Sequence, residues 1–587
     1  MSEKKLLLGN EAVARGLYEA GCRFVSSYPG TPSTEITEYA AKYDEIYAEW
    51  APNEKVAAEA AIGASIGGGR AFCGMKHVGL NVASDPVFIS SYIGVNGGLV
   101  IGVADDSGMH SSQNEQDSRH YAIAAKLPML EPSDSNECLN FTKIAFELSE
   151  HFDTPFILRL STRISHSQSI VELGERQEIE LKEYTKDIAK YVMMPSYARG
   201  RHVVVEQRLE KLAEFAETCE FNKIEYCDHK EKNIGIITSG IAYQYAKEVF
   251  GDTVSYLKLG FINPLPIKLI QDFAANVGRV IVIEELDDVI ESWCKKIGVK
   301  ADGKNILPVT GEYSQELLRD KILGEKFDFV KLGDDIKIPV RPPVLCPGCP
   351  HRGIFYVLKK LKLMVSGDIG CYTLGANAPL SAMDTTLCMG ASISGLHGFN
   401  KIRGKESAKN SIAVIGDSTF MHSGITGLID ITYNLGISKV LILDNSITGM
   451  TGQQENPSTG RTLKGEAVYG ISIENICRGS GIKDENIRIF DPCDIAEAEK
   501  ILKEEFAKDE PSVLIARRPC VLLKHVKKNK KYIINQENCK GCKACMSIGC
   551  PAVSFENKKA GIDVSMCTGC GLCEKMCKFD AIKSEVK

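Results

Sequence analysis

The apolar segments of this chain are short, and the clearest of them stop abruptly at polar residues. Residues 412–417 read Ile-Ala-Val-Ile-Gly-Asp, and residues 440–445 read Val-Leu-Ile-Leu-Asp-Asn. Continuous apolar runs of this length predict buried strands of a parallel sheet. Residues 425–435, which lie between them, predict the crossover helix that two parallel strands require.

The two runs end where ligands commonly bind in such folds. The carboxyl ends of neighbouring parallel strands form a binding crevice, and Asp417 and Asn445 follow two such strands. Their side-chain oxygens, with the main-chain carbonyl of Ile447, could hold Mg²⁺, which usually takes few protein oxygens and fills its shell with phosphate. The alternative is an ordinary strand end at which the aspartate caps a helix.

Elsewhere in the chain, segments with strand patterns again alternate with segments with helix patterns. This predicts an α/β protein with several parallel-sheet domains. Residues 53–64 are rich in alanine and predict a closely packed helix. Glu54 lies at its start, where the helix dipole favours a negative charge. Residues 233–240 begin another strand, turn and helix. Changes in composition predict four domains, at residues 1–185, 186–335, 336–528 and 529–587.

Length and composition agree with a large globular protein. The 587 residues exceed what one core holds, and 44% hydrophobic with 25% charged residues is an ordinary balance. The net charge of -6 gives no argument for nucleic-acid binding. No apolar run resembles a membrane span or a signal peptide, so we expect a cytoplasmic protein without a membrane partner. There, 21 cysteines indicate metal ligation or redox chemistry rather than disulfides.

Cysteine spacing near the C-terminus is the most specific signal in the chain. Two runs of Cys-x₂-Cys-x₂-Cys are each followed by a further cysteine, as in two-cluster bacterial ferredoxins, where that fourth cysteine ligates the other cluster. We therefore assign one [4Fe-4S] cluster to Cys539, Cys542, Cys545 and Cys577, and a second to Cys567, Cys570, Cys573 and Cys550. Zinc is the alternative for Cys-x₂-Cys pairs, and the doubled pattern disfavours it.

Two segments resemble thiamine diphosphate enzymes. Residues 416–418, Gly-Asp-Ser, together with Asn445, are similar to their Gly-Asp-Gly…Asn signature, with Ser418 in place of the last glycine. The resemblance implies that Mg²⁺ and the cofactor's diphosphate are bound by Gly416, Asp417, Ser418, Asn445 and Ile447. Residues 53–64 resemble the helix whose glutamate hydrogen-bonds the cofactor's pyrimidine ring. This implies that role for Glu54, with Glu59 in reserve, and it requires a protonated carboxyl in an apolar pocket.

A thiamine site and a ferredoxin tail on one chain narrow the chemistry to oxidation of a 2-oxo acid, with the clusters removing electrons singly. Over essentially its whole length the chain resembles the 2-oxoacid:ferredoxin oxidoreductases, and among them the large subunit of the indolepyruvate ferredoxin oxidoreductase family. Besides the Asp417…Asn445 pair and the tail, the resemblance rests on residues 28–33 (YPGTPS), 76–81 (KHVGLN) and 346–352 (CPGCPHR).

This resemblance implies oxidative decarboxylation of arylpyruvates (indolepyruvate, phenylpyruvate and hydroxyphenylpyruvate) to aryl-acetyl-CoA and CO₂, with reduction of ferredoxin. It implies coenzyme A as co-substrate and a smaller β subunit in an α₂β₂ assembly. The four expected domains become, in order, a pyrimidine-binding domain, a transketolase C-terminal-like domain with a helical linker, a thiamine diphosphate and Mg²⁺ domain, and a two-cluster ferredoxin domain. The alternatives are the same reaction on another 2-oxo acid, or a non-catalytic electron-relay subunit.

The resemblance also implies a third [4Fe-4S] cluster. In related oxidoreductases a Cys-x₂-Cys pair and two later cysteines hold a cluster beside the thiamine. The cysteines here that match that layout are Cys346, Cys349, Cys371 and Cys520. The alternative is that the last two are buried core thiols.

Polar loops after apolar runs supply the remaining catalytic candidates. We expect Thr31, His77 and Arg119 at the substrate, with His110 as a further contact. Arg119 could bind the carboxylate of a 2-oxo acid as a bidentate pair. Each of these residues also fits ordinary polarity of a surface loop.

Overall fold

The computed structural model describes residues 3–228, 234–326, 333, 336, 338–339, 342–528 and 530–586. The chain forms two compact units, residues 1–333 and 334–587. The boundaries expected at 335/336 and at 528/529 involve residues outside the described ranges, and the division into four domains remains a prediction.

The first unit contains a seven-stranded sheet. From edge to edge its strands are Phe261–Asn263, Met129–Leu130, Phe156–Ser161, Leu99–Asp105, Ala71–Lys76, Phe24–Ser27 and Tyr47–Trp50. All neighbours run parallel except the first pair. The central strands are buried along their whole length. Burial on both faces explains why they read as continuous apolar runs.

Helices cover this sheet, and a short antiparallel pair, Glu3–Leu8 with Gln168–Leu173, lies beside them. The helices are Gly9–Glu19, Thr34–Ala40, Glu54–Ile66, His77–Val82, Ser84–Ile93, Arg119–Ala125, Ser135–Phe152, Thr162–His166, Ile188–Tyr191 and Pro195–Thr218. The helix Pro195–Thr218 comes after the expected domain boundary at residue 185. It still packs with the helices of the first sheet, because buried Arg208 donates to the carbonyl of Ser91 at 2.7 Å.

The first unit also contains a five-stranded sheet. Its strands, in order, are Ala301–Asp302, Arg279–Ile283, Ile234–Ser239, Ser255–Leu259 and Lys223–Glu225, with only the last antiparallel to its neighbour. Its helices are Gly240–Phe250, Ile267–Ala275, Val289–Lys296 and Gln315–Leu318, the last continued by a π-helical turn, Arg319–Leu323.

The second unit is organised by a six-stranded, all-parallel sheet. Its strands, in order, are Thr385–Thr386, Met364–Gly367, Ser411–Gly416, Lys439–Asp444, Ser512–Arg517 and Ile487–Phe490. Its helices are His351–Leu361, Ala391–Arg403, Lys405–Ala408, Asp417–Thr419, Ile425–Tyr433, Ile473–Gly479 and Ile495–Phe506, with a π-helical turn, Phe420–Gly424, and 3₁₀ turns at Cys371–Ala376 and Asp484–Asn486. The two predicted strands and the crossover helix are therefore present.

Alternate residues of these strands enter two different cores, one on each face of the sheet. Ile412 and Val414 belong to one buried cluster, and Ala413 and Ile415 belong to the other. This follows from the two-residue side-chain period of a strand, and it confirms the predicted α/β class with parallel-sheet domains.

The C-terminal segment has a different architecture. Two antiparallel pairs, Lys530–Ile534 with Ile582–Val586 and Val553–Glu556 with Lys559–Ile562, surround the short helices Ala544–Ile548 and Leu572–Met576. Cysteines make up much of its small core. Within the residues that the structure describes, no helix is long and apolar enough to cross a membrane.

Candidate active site and cysteine groups

One edge of the six-stranded sheet collects predicted site residues from four neighbouring strands. Met364–Gly367 leads to Cys371, Ser411–Gly416 to Asp417, Lys439–Asp444 to Asn445, and Ser512–Arg517 to Cys520. Because parallel strands point the same way, their carboxyl ends meet at this edge. The edge is the crevice in which open α/β sheets bind ligands.

Asp417 is a buried carboxylate that accepts a side-chain hydrogen bond. It is 2% exposed, and Asn456 Nδ2 donates to its Oδ2 at 3.3 Å. Burial, followed by the nearby charge of Asp444, raises the pKa of Asp417 to about 7. A divalent cation at this carboxylate would reverse that effect, since the ion's charge dominates its surroundings. The site therefore fits a magnesium ion.

Asn445 and its following loop complete this part of the crevice. The Ile447 amide donates to Asn445 Oδ1 at 3.2 Å, which turns the loop back over the strand end. Thr448 Oγ1 donates to Ser418 Oγ at 2.9 Å, so the loop is tied to the Asp417 segment. Oxygens of this type are ligands for Mg²⁺, which binds a diphosphate at the same time.

Gly416 is required by a close approach of an aromatic ring. A side-chain carbon at this position would lie 2.7 Å from the ring of Tyr372. The Tyr372 hydroxyl donates to the carbonyl of Ile369 at 2.8 Å. Gly416 thus lets the segment beginning at Cys371 lie directly against the strand that carries Asp417.

In the first unit, Glu54 is buried where the resemblance expects the pyrimidine-binding glutamate. It begins the helix Glu54–Ile66 and is 5% exposed. Asn53 caps that helix by accepting from the Val56 amide at 2.9 Å. A side-chain carbon at Gly79 would lie 2.6 Å from Glu54 Oε1, so this glycine makes room for the carboxyl group. Glu59, the reserve candidate, is instead exposed and paired with Lys55, which excludes it from a buried pocket.

His77, Lys76 and the loop carrying Thr31 lie together at the end of Ala71–Lys76. His77 is 1% exposed, and neither ring nitrogen has a hydrogen-bond partner among the described residues. Burial lowers the pKa of Lys76 to about 8, and its ammonium donates to the carbonyl of Ser111. Half-buried Thr31 follows Gly30, where a side-chain carbon would lie 3.3 Å from Lys76 Cβ. A buried imidazole without hydrogen-bond partners, next to a buried ammonium group, fits a site that binds a polar ligand.

Arg119 does not offer the free guanidinium fork that the sequence suggested. It is 2% exposed, and it forms ion pairs with Asp117 and Glu284. Its Nη2 also donates to the carbonyls of Glu285 and Asp287, at 3.0 and 2.9 Å. The expected substrate contact is therefore wrong for this geometry, in which Arg119 joins the two sheets of its unit. His110 is exposed and lies 3.3 Å from Glu312, also away from a buried site.

The tail thiols fall into the two groups that their spacing suggested. Burial, and after it the neighbouring Cys570, Cys550 and Cys567, raise the pKa of Cys573 to about 12. Burial also raises the pKa of Cys545, as do Cys542, Cys539 and Cys577. Cys573 and Cys545 therefore each lie near the three other members of their own predicted sets. Two groups of four thiols fit the donor sets of two [4Fe-4S] clusters.

The four cysteines of the suggested third cluster also face one another. Burial, then Cys520 and Cys346, raise the pKa of Cys371 to about 11. The pKa of Cys349 is raised by burial and by Cys371 and Cys346. The Cys520 amide donates to the carbonyl of Asn445 at 2.9 Å. A side-chain carbon at Gly449 would lie 3.3 Å from Cys371 Sγ.

This third group of thiols thus lies beside the loop that follows Asn445. Asp417 is also close enough to raise the pKa of Cys520, after burial and Cys346. The arrangement brings a group of four thiols next to the predicted diphosphate site.

Sequence reasoning missed two residues at these sites. Asn456 reaches Asp417 from a long loop without secondary structure, and no local pattern marks it. Lys76 stands in the quoted motif at residues 76–81, but its burial and its packing against Gly30 depend on tertiary structure.

Known protein families match three parts of the chain. Residues 15–232 match the thiamine diphosphate-binding domain of pyruvate flavodoxin/ferredoxin oxidoreductase. Residues 368–516 match the C-terminal TPP-binding domain of thiamine pyrophosphate enzymes, and residues 560–583 match the 4Fe-4S binding domain. Together with the site, these matches define an oxidoreductase of the 2-oxoacid:ferredoxin class, which uses thiamine diphosphate and iron–sulfur chemistry to decarboxylate 2-oxo acids oxidatively.

Relatives extend this match over the full length. An indolepyruvate oxidoreductase subunit IorA from Archaeoglobus fulgidus is 40% identical, over 99% of this chain and 97% of the relative. The subunit of the same name from Pyrococcus horikoshii is 40% identical over the same shares. That from Methanothermobacter marburgensis is 38% identical over 100% of this chain and 98% of its own length. The chain belongs to the indolepyruvate oxidoreductase IorA family.

Replacing Arg119 by methionine should destabilise the first unit strongly. The change leaves Glu284 without its cation and Asp117 with Arg159 alone, and removing one partner of a buried ion pair costs about 3–5 kcal/mol. Arg163→Met is the matched control, because the Arg163 side chain is 52% exposed and its pair with Glu312 contributes about 0–1 kcal/mol. Urea unfolding followed by tryptophan fluorescence reports on this unit alone, since both tryptophans, Trp50 and Trp293, belong to it. Equal losses in the two variants would contradict the buried role of Arg119.

Proposed function

We propose that this chain is the large subunit of an enzyme that oxidatively decarboxylates arylpyruvates to aryl-acetyl-CoA and CO₂ and reduces ferredoxin. The observation that carries the proposal is the group of four thiols beside Asn445 and Asp417, at the edge of a sheet that also fits a diphosphate. Such proximity serves an enzyme that passes electrons singly from substrate to iron–sulfur clusters. The 38–40% identity to IorA subunits supports the indolepyruvate assignment.

Asp417, Asn445 and the Ile447 carbonyl would hold Mg²⁺, and Ser418 would contact the cofactor's diphosphate. Asn456 would orient Asp417 by donating to its Oδ2. The loop between Asn445 and Asn456 is tied to the Asp417 segment at Thr448 and Asn456. Bound thiamine diphosphate supplies the reactive carbon and the electron sink of the reaction.

On the first unit, Glu54 would hold a proton between its carboxyl group and a ring nitrogen of the cofactor. His77 would bind the substrate through its unpaired ring nitrogens. Lys76, rather than Arg119, would pair with the substrate carboxylate, and Thr31 would contribute its hydroxyl.

Twelve cysteines in three groups would ligate three [4Fe-4S] clusters. They are Cys346, Cys349, Cys371 and Cys520; Cys550, Cys567, Cys570 and Cys573; and Cys539, Cys542, Cys545 and Cys577. We further propose a smaller β subunit in an α₂β₂ assembly, ferredoxin as electron acceptor and coenzyme A as the acyl acceptor.

Substrate preference tests the proposal directly. The protein is purified anaerobically with whatever co-purifies, and CoA-dependent viologen reduction is measured with indolepyruvate, phenylpyruvate, pyruvate and 2-oxoglutarate. We expect the two aryl acids to be oxidised most efficiently. Preference for pyruvate or 2-oxoglutarate would reject the arylpyruvate assignment and keep the mechanism. Full iron and thiamine content without reduction by any acid would favour an electron-relay subunit.

Glu54→Gln should lower turnover by about 10²–10⁴-fold, the usual contribution of a positioned proton donor or acceptor. Glu59→Gln is the control on the same helix, because Glu59 is exposed and should leave turnover within about twofold of the wild type. Both variants are assayed by viologen reduction at saturating thiamine diphosphate. Unchanged turnover in Glu54→Gln would remove Glu54 from the catalytic site.

Cys371→Ser should lower the iron content by about four per chain, from about twelve. Cys388→Ser is the control, because Cys388 is an exposed thiol outside the three groups. Iron and acid-labile sulfide are measured on anaerobically purified protein. Equal iron content in the two variants would reject the third cluster.

A further inference from the structure

Arg352 is a buried cation that joins two of the three cysteine groups. It lies in the first turn of His351–Leu361, three residues after Cys349, and is 2% exposed. Its Nε donates to the carbonyl of Cys346 at 3.0 Å, and its Nη2 donates to the carbonyl of Leu345. Nη1 reaches across to the tail.

On the tail side, Nη1 donates to the carbonyls of Ile548 and Gly549, at 3.1 and 2.6 Å. These two residues immediately precede Cys550. The guanidinium thus binds four main-chain carbonyls, two from the loop of Cys346 and two from the loop of Cys550. These hydrogen bonds are strengthened by the charge of the guanidinium, and a planar fork that spans two loops fixes their distance and angle.

The backbone around Arg352 leaves little freedom for these two loops to separate. A side-chain carbon at Gly348, between the paired cysteines, would lie 1.8 Å from Thr568 Oγ1, next to Cys567. At Gly353 such a carbon would lie 2.1 Å from the carbonyl of Pro492 and 3.2 Å from Leu572 of the tail. The tail is therefore seated closely on the cysteine loop at 346–349.

The charge of Arg352 is compensated in an unusual way. Within the part of the chain that the structure describes, no carboxylate pairs with it, although an uncompensated buried charge is costly. The ionisable groups that face it are four thiols, Cys550, Cys349, Cys346 and Cys570. Two belong to the group beside Asn445 and two to one tail group. Ligated thiolates would supply the negative charge that the guanidinium lacks.

We propose that Arg352 is a positioning residue that holds two iron–sulfur sites together and tunes both, the site of Cys346 and Cys349 and the site of Cys550 and Cys570. This inference rests on the proposed cluster ligation. A fixed positive charge favours the reduced form of a cluster, which is the more negative one, and so raises its reduction potential. The same residue would keep the two sites at a constant separation for electron transfer.

The test is an EPR-monitored redox titration of the anaerobic holoprotein, with Arg352→Gln compared with the wild type. We expect the midpoint potentials of two cluster signals to move to lower values while the third stays unchanged. Arg488→Gln is the matched control, since Arg488 lies in the same unit but pairs with Glu504 and Glu505, and it should shift none of them. Unchanged midpoints in Arg352→Gln would overturn the tuning role.

Arg352→Lys separates charge from geometry and serves if the glutamine variant fails to fold. Lysine keeps the charge but cannot span four carbonyls, so midpoints should stay close to those of the wild type while limited proteolysis releases the tail several-fold faster. Release at the wild-type rate would overturn the positioning role. A lysine variant with both midpoints lowered would overturn the charge argument.

Iron analysis distinguishes this inference from the proposed function. If the wild type holds only about eight iron atoms per chain, the proposed third cluster fails. Arg352 still faces the tail group of Cys550 in that case. A shift of the midpoint potential confined to the cluster signal of that group would then support the role of Arg352 in tuning the tail cluster.

Discussion

The parallel register of four strands in the second unit is the constraint on which its site depends. Ser411–Gly416 and Lys439–Asp444 are aligned so that Gly416 is opposite Leu443, and the next strand continues the alignment from Leu443 to Ala516. Asp417, Asn445 and Cys520 therefore emerge side by side, although they are far apart in sequence. A ligand site and a thiol group share one edge because the strands share one direction.

Much of this arrangement could be predicted from the sequence, because the relevant signals are local. Buried parallel strands are short apolar runs, and the runs before Asp417 and Asn445 gave both strands and their crossover helix. The tail cysteines are recognisable because two-cluster ferredoxins have fixed spacing. Glu54 was singled out by the pattern of its helix and is buried in the structure, and its role at a cofactor stays a prediction.

Other features depend on contacts that no local pattern records. Arg119 was expected at the substrate because it follows a polar loop, but Glu284, which engages it, comes from the other sheet of its unit. Asn456 can be recognised as a site residue only from the folded structure, in which its loop returns to Asp417. Arg352 stands within a recognisable motif, yet its partners at Ile548 and Gly549 are supplied by the tail. Long-range pairing, rather than residue type, decides the role of each.

The two buried arginines contrast in how their charge is balanced. Arg119 is surrounded by carboxylates and carbonyls, so its positive charge is balanced by other residues of the same unit. Arg352 is surrounded by carbonyls and thiols, so its balance depends on the state of those thiols. If these thiols ligate the proposed clusters, folding of the second unit would be linked to cluster binding, because groups that bind only the native state stabilise it by mass action.

Cys542 is exposed, whereas the other seven thiols of the tail are buried or half-buried. Its group is therefore the one through which an external carrier could most readily take electrons. The same opening admits dioxygen, which attacks accessible sulfur ligands first. Brief contact with air would then damage the proposed exit before the interior, and oxidation of the substrate would stop once the remaining clusters were reduced.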